Sequence, residues 1–223
     1  MVYSFAGGSD GAKPTSGLIN VDGTLYGTTR NGGANDAGTV FALAPPTIAG
    51  GSWTKSLVYS FNSGSDGANP AGSLIYAGGT LYGMTENGGV NDAGTVFALA
   101  PPAIAGGSWT KSLVYAFNGG SDGAYPRGGV IWALNSLYGT TARGGGGRGG
   151  TVFKLDPPVI SGALWTHSVL HDFTGPNHGL DGAYPDASLI KVGSTLYGPT
   201  RTGGADFGCG GTGCGMVFAV TLP

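Results

Sequence analysis

Residues 53–61 read WTKSLVYSF, and the motif that ends this run, VYSF at Val58–Phe61, also stands at Val2–Phe5 and returns as VYAF at Val114–Phe117 and as LHDF at Leu170–Phe173. The starting positions 2, 58, 114 and 170 are 56 residues apart. Other series run in step with it: SDGA from Ser9, Ser65 and Ser121 with LDGA from Leu180, LYG from Leu25, Leu81, Leu137 and Leu196, and GTVF from Gly38, Gly94 and Gly150 with GMVF from Gly215. A fixed period of this length is the signature of a repeat architecture, in which one supersecondary unit is stacked on copies of itself. The units are 1–52, 53–108, 109–164 and 165–223, and the last carries two insertions, around GPNHG and around the cysteines.

Each unit contains four short runs suited to strands. In WTKSLVYSF, Trp53, Lys55, Leu57, Tyr59 and Phe61 share one face and Thr54, Ser56, Val58 and Ser60 the other, which predicts a half-buried strand. SLIY, TLYGMT and GTVFALA follow, rich in β-branched and aromatic residues, and are separated by DGANP, AGG and ENGGVNDAG. Asp-Gly and Asn-Gly supply turn residues, and the Pro-Pro at 101–102 stops the fourth run. Four strands per unit, four times over, predict an all-β four-bladed propeller forming a single repeat domain over 1–223. Another repeat β architecture, a solenoid among them, or part of a larger ring competes. Met1 enters midway along the first strand, so a ring closed within the chain has a shortened strand at its seam, and a longer array or two joined chains are the other options.

Composition supports this class. Of 223 residues 47 are glycine, which excludes long helices, and the glycines lack the three-residue period of collagen. A hydrophobic share of 40% with net charge −2 excludes disorder. Ten scattered Lys and Arg against twelve Asp and Glu build no basic field, so nucleic acid is not expected as a partner. No apolar run is long enough to insert into a membrane, and MVYSFAGGSDG has the features of neither a signal peptide's basic n-region nor its apolar h-region. Cys209 and Cys214 enclose only GGTG; they are expected to pair as a disulfide, which implies a secreted or surface location, with reduced thiols or half a metal site as the alternative.

The run SDGANPAGSLIYAGGTLYGMTENGGVNDAGTVFALAPP, with its ordered VYSF-like strand, DGA-x-P, Leu-Ile, LYG, GG and GTVF elements, resembles the GloVer tandem repeat of choice-of-anchor surface proteins from environmental bacteria. All four units carry the pattern. The resemblance implies export and attachment to a cell surface through a separate C-terminal anchor, and it brings no catalytic residues with it.

Candidate chemistry falls into several sets. Gly7-Gly8-Ser9-Asp10-Gly11 and its copy at 119–123 fit G-x-S-x-G, but Ser63 breaks the second copy and no helix is predicted behind the serine. Histidine occurs only in the fourth unit, at His167, His171 and His178; a hydrolase acting on glycosides or esters would use His167, His171 and Asp172. Glu86 is the only glutamate, at the position of Arg30, which leaves glycoside hydrolysis without its usual repeated carboxylate pair. Asp10, Asp66, Asp122 and Asp181 occupy equivalent positions and either cage a Ca²⁺ on the axis or fix their own loops as Asx-type turns. No other cofactor is expected. Trp53, Trp109 and Trp165 offer faces for a sugar or packing between blades, as do the LYG tyrosines. The loops after LYG differ most between units and carry Arg30, Glu86, Arg143 and Arg201, so ligand recognition is placed there. The expected function is a non-enzymatic extracellular or cell-surface binding or structural module, its partner a polysaccharide or another surface ligand.

Overall fold

The computed structural model describes residues 1–104, 106–160, 162–175, 181–204, 209 and 213–222. Among them lie three four-stranded antiparallel sheets and one three-stranded sheet, each a meander of sequence neighbours. The first holds β1 (Ile19–Val21), β2 (Thr24–Thr29), β3 (Thr39–Ala44) and β4 (Thr54–Ser60). The second holds β5 (Ala68–Ala77), β6 (Thr80–Asn87), β7 (Thr95–Ala100) and β8 (Thr110–Ala116), and the third β9 (Ile131–Ala133), β10 (Ser136–Thr141), β11 (Thr151–Asp156) and β12 (Thr166–Asp172). The fourth comprises β13 (Ile190–Val192), β14 (Thr195–Thr200) and β15 (Met216–Thr221). The architecture is that of a four-bladed propeller, and residues within or just before the first strand of every blade line one axial cavity. No helix among the described residues is long and apolar enough to cross a membrane.

Blade and sequence unit are one strand out of phase. WTKSLVYSF, which opens the second unit, supplies the outermost strand of the first sheet and then packs its phenylalanine on the next blade: Phe61 lies edge-on to Phe97, with ring centroids 5.1 Å apart. Phe117 meets Phe153 and Phe173 meets Phe218 in the same way, at 5.2 and 5.0 Å. The repeated phenylalanines therefore tie each blade to its successor.

The predicted alternation of the WTKSLVYSF strand is interrupted. Val40 pairs with Tyr59 and Phe41 with Leu57, leaving Val58 as the extra residue of a β-bulge. The bulge swings Val58 into the core, 7% exposed, and leaves Leu57 at the surface, 51% exposed. Leu113 and Val114 repeat this exchange around a bulge at the same place.

Glycine is required where chains touch. Gly83 of LYG stands directly across from Phe97, and a Cβ there would sit 2.5 Å from the ring; the aromatic fills the space that glycine vacates. Gly67, in the left-handed region at φ 94°, lies against the hydroxyls of Thr85 and Thr95, which hydrogen-bond each other at 2.7 Å in a fully buried pair. Thr29 with Thr39 and Thr141 with Thr151 repeat this pair, at 2.7 and 2.9 Å. In the fourth unit Met216 replaces the second threonine and the pair is lost.

Candidate functional site

The four aspartates do not converge on the axis; each serves its own loop. Asp66 Oδ1 accepts the Tyr59 hydroxyl at 2.8 Å and Lys111 Nζ at 2.7 Å, while its other oxygen accepts the Asn62 amide. Asp10 has the corresponding partners Tyr3, Lys55 and the Ala6 amide. Both lysines are nearly buried, pass over the two aromatic rings of the preceding VYSF motif, and also donate to the aspartate's own carbonyl. Burial alone would raise the Asp10 carboxyl, but the hydrogen bonds from Lys55, Tyr3 and Ala6 outweigh it and hold the group at about 2. Asp66 is lowered in the same balance, and burial followed by the bond to Asp66 drives the Tyr59 hydroxyl upward. Asp122 keeps the tyrosine bond, from Tyr115, but has no lysine: His167 takes that position and stacks on Tyr115 at 4.5 Å. Asp181 binds Thr174 and lies 3.5 Å from His171. No group of three or more His, Cys, Asp or Glu side chains able to hold a metal forms among the described residues.

His167, His171 and Asp172 share one strand and no common partner. His167 is packed among Tyr115, Phe117 and Phe153; burial lowers its pKa against the pull of Asp122, and its Nε2 has no hydrogen-bond partner among the described residues. His171 lies edge-on to Phe173, and Asp172 accepts the amides of Gly146 and Gly147. His178 lies outside the described residues. Two of the repeated tryptophans pack between blades, Trp109 edge-on to Tyr26 and Trp165 edge-on to Tyr82, with centroids 5.9 and 6.0 Å apart. Trp53 makes no ring contact among the described residues. Cys209 and Cys214 form a disulfide.

Two cavities with polar linings stand among the described residues. The axial one, about 420 Å³, is lined by Ser16, Ser73 and Ser188 and by a chain of charges drawn from all four blades. Arg30 and Arg127 both bind Glu86, the latter at 2.9 Å; Arg127 and Arg201 then reach Asp186 at 3.6 and 3.5 Å. Arg30 and Glu86, singled out by their loops, line this cavity, and Arg201 joins the chain of charges through Asp186. Arg127 and Asp186, the missing members, follow the proline of DGA-x-P, where the four units carry Thr15, Ala71, Arg127 and Asp186. That variation within an otherwise repeated motif was the signal for them. Every charge in this chain has an opposite partner, so the arrangement braces blade against blade.

The second cavity, about 690 Å³, lies on the rim of the third unit and differs in this respect. In the first two units the loop after LYG is closed by an aspartate: Asp36 accepts the Gly32 amide and Asp92 the Gly88 amide, both at 2.7 Å. The third unit has Arg148 in that place and Arg143 where the others have Asn31 and Asn87. Both arginines line the cavity with Tyr125, Tyr184, Ser121 and Asn91, and neither guanidinium has a carboxylate partner among the described residues. Tyr125 and Tyr184 hold left-handed backbone, φ 55° and 59°, because their amides reach across to the carbonyls of Ala93 and Gly149 on the preceding blade, each at 2.7 Å. The same geometry brings both tyrosines to the cavity. Arg143 was flagged by its loop; Arg148 could have been found as the residue replacing Asp36 and Asp92.

No curated protein and no solved structure matches the chain. The four-fold sheet arrangement, its repeated aromatic and glycine contacts, and a match of residues 1–221 to the family model described as the Gloeobacter/Verrucomicrobia repeat agree, and the chain belongs to that repeat family.

Proposed function

We propose that the chain is an extracellular, non-enzymatic binding module that takes an acidic polysaccharide in the rim cavity of the third unit. The observation that carries this reading is the pair Arg143 and Arg148, without carboxylate partners, beside Tyr125 and Tyr184. Guanidinium groups bind carboxylates or sulfates through paired hydrogen bonds, and tyrosine faces suit a pyranose ring. The axial charges, already paired with one another, support a bracing role instead. Asparagine and aspartate in the first two units give way to two arginines, a charge change of +3 at these two positions.

Calorimetry with a uronate oligosaccharide, with a neutral glucan as control, tests the proposal. The uronate binds and the glucan does not, and binding weakens with added salt. Arg143→Asn/Arg148→Asp restores the residues of the first two units, so its fold is secured by the molecule's own precedent. Each lost charge-assisted hydrogen bond is worth about 1.5–3 kcal/mol, so affinity falls at least tenfold. Equal affinities for parent and variant, or no binding by the folded parent, overturn the proposal.

A further inference from the structure

The three interfaces between successive blades use one set of positions, and a fourth set of the same positions is left open. Val40, Val96 and Val152 are each 0% exposed because the next blade covers them, whereas Val217, the same position in the fourth unit, is 71% exposed. On the receiving side Leu74, Val130 and Leu189 are 1%, 1% and 2% exposed, whereas Leu18 is 51% exposed. Each open face forms an apolar cleft: Leu18, Leu25, Phe41 and Leu43 on the first blade, and Ile190, Tyr197 and Val217 on the fourth. The two open faces carry the positions that form the two sides of the interfaces between successive blades.

The strand between them is also at hand. Residues 1–6 are in no sheet, yet they make the contacts to the first blade that β4 and β8 make to the blades after them. Tyr3 donates to Asp10 at 2.7 Å as Tyr59 does to Asp66, and Phe5 lies edge-on to Phe41 at 4.9 Å as Phe61 does to Phe97. The outer edge of the fourth sheet is unpaired as well: β15 pairs on one side only among the described residues.

We propose that Met1–Phe5 pairs with β15 of the same molecule, completes the fourth sheet and closes the ring. The first blade fixes the register: Thr39 with Ser60, Val40 with Tyr59 and Phe41 with Leu57 become Met216 with Ser4, Val217 with Tyr3 and Phe218 with Met1. Val2 takes the bulged place of Val58. Two further contacts follow by the same transposition. The Lys13 amide, held at φ 57° like that of Asn69, reaches the Cys214 carbonyl as Asn69 reaches Ala37, and Trp53 packs on Tyr197 as Trp109 packs on Tyr26. The occupant is the chain's own strand because Met1–Phe5 is already seated on the first blade, and because the first and fourth blades already face one axial cavity. Closure removes the unpaired edge, which would otherwise template association with other chains.

Ser4→Cys/Met216→Cys places two thiols opposite each other across the proposed pair, within the Cα spacing a disulfide tolerates. After mild oxidation of the full chain, mass analysis under dilution reads which thiols have joined, and hydrogen exchange on the unsubstituted chain reads the Val217 amide. A link within one molecule, independent of protein concentration, together with an amide slowed at least tenfold relative to an unpaired edge, is expected. A link between two molecules, which would place a second copy on the edge, overturns the proposal. So do thiols that stay free, whether or not the amide is protected.

Discussion

Gly83→Ala tests the reasoning that the LYG glycine exists to seat the GTVF ring. A Cβ at this position falls 2.5 Å from Phe97 Cζ and 2.7 Å from Leu74 Cδ2, where carbon atoms ordinarily rest roughly 3.5–4.0 Å apart. The ring or the leucine must therefore retreat by about 1 Å. Neither has space to do so: Phe97 is 0% and Leu74 1% exposed, and Phe61 holds the ring edge-on. Overpacking of this kind costs about 1–3 kcal/mol. Alanine's smaller unfolded-state entropy offsets it by about 0.4–1 kcal/mol. The net loss is about 1–2 kcal/mol, which for a domain of this size lowers the melting temperature by about 2–8 °C. Phe97→Leu removes the nearer of the two clashing groups and leaves that of Leu74. In denaturant titrations at constant m-value, the double variant should be less destabilised than the sum of the single ones by roughly 1 kcal/mol. A Gly83→Ala protein as stable as its parent, or strict additivity in the double variant, refutes the account.

Lys111→Met leaves the Asp66 carboxylate and carbonyl without their shared donor, and unpaired polar groups of this kind cost about 1–3 kcal/mol; an unchanged unfolding midpoint would show the pair to be inert. Acid should destabilise the parent in a defined window. The Asp10 carboxyl, held at about 2 by Lys55, Tyr3 and Ala6, the lowered Asp66 carboxyl, and that of Asp156, where hydrogen bonds from Lys154 and Ser136 outweigh burial, are all below the ordinary aspartate value of about 3.9 in the fold. Their contribution is present in full above that value and is lost as pH falls from about 4 to 2. Melts between pH 5 and pH 2 should show the drop, smaller in Lys111→Met, and a flat profile would contradict it.

The period of 56 residues, the four strands of the second, third and fourth units and the role of turn glycines were legible because each is written locally, as side-chain alternation or as a backbone conformation that few residues accept. The bulge that buries Val58 and exposes Leu57 was not, since an unbroken alternation in WTKSLVYSF carries no mark of the extra residue. The phase of blades against units was hidden for a related reason. Antiparallel pairing assigns WTKSLVYSF to the sheet before it, and pairing partners lie outside the run itself. The candidate sites divide in the same way. Variation at Arg30, Glu86, Arg143 and Arg201 marked charged loop positions, but only the tertiary arrangement sorted them, Arg30, Glu86 and Arg201 into an axial brace with Arg127 and Asp186, and Arg143 onto a rim with Arg148. Identical residues also acquire different fates. Val40 and Val217 occupy one position of one motif, yet the first is sealed and the second open, because burial belongs to the neighbouring blade and a repeat describes only itself.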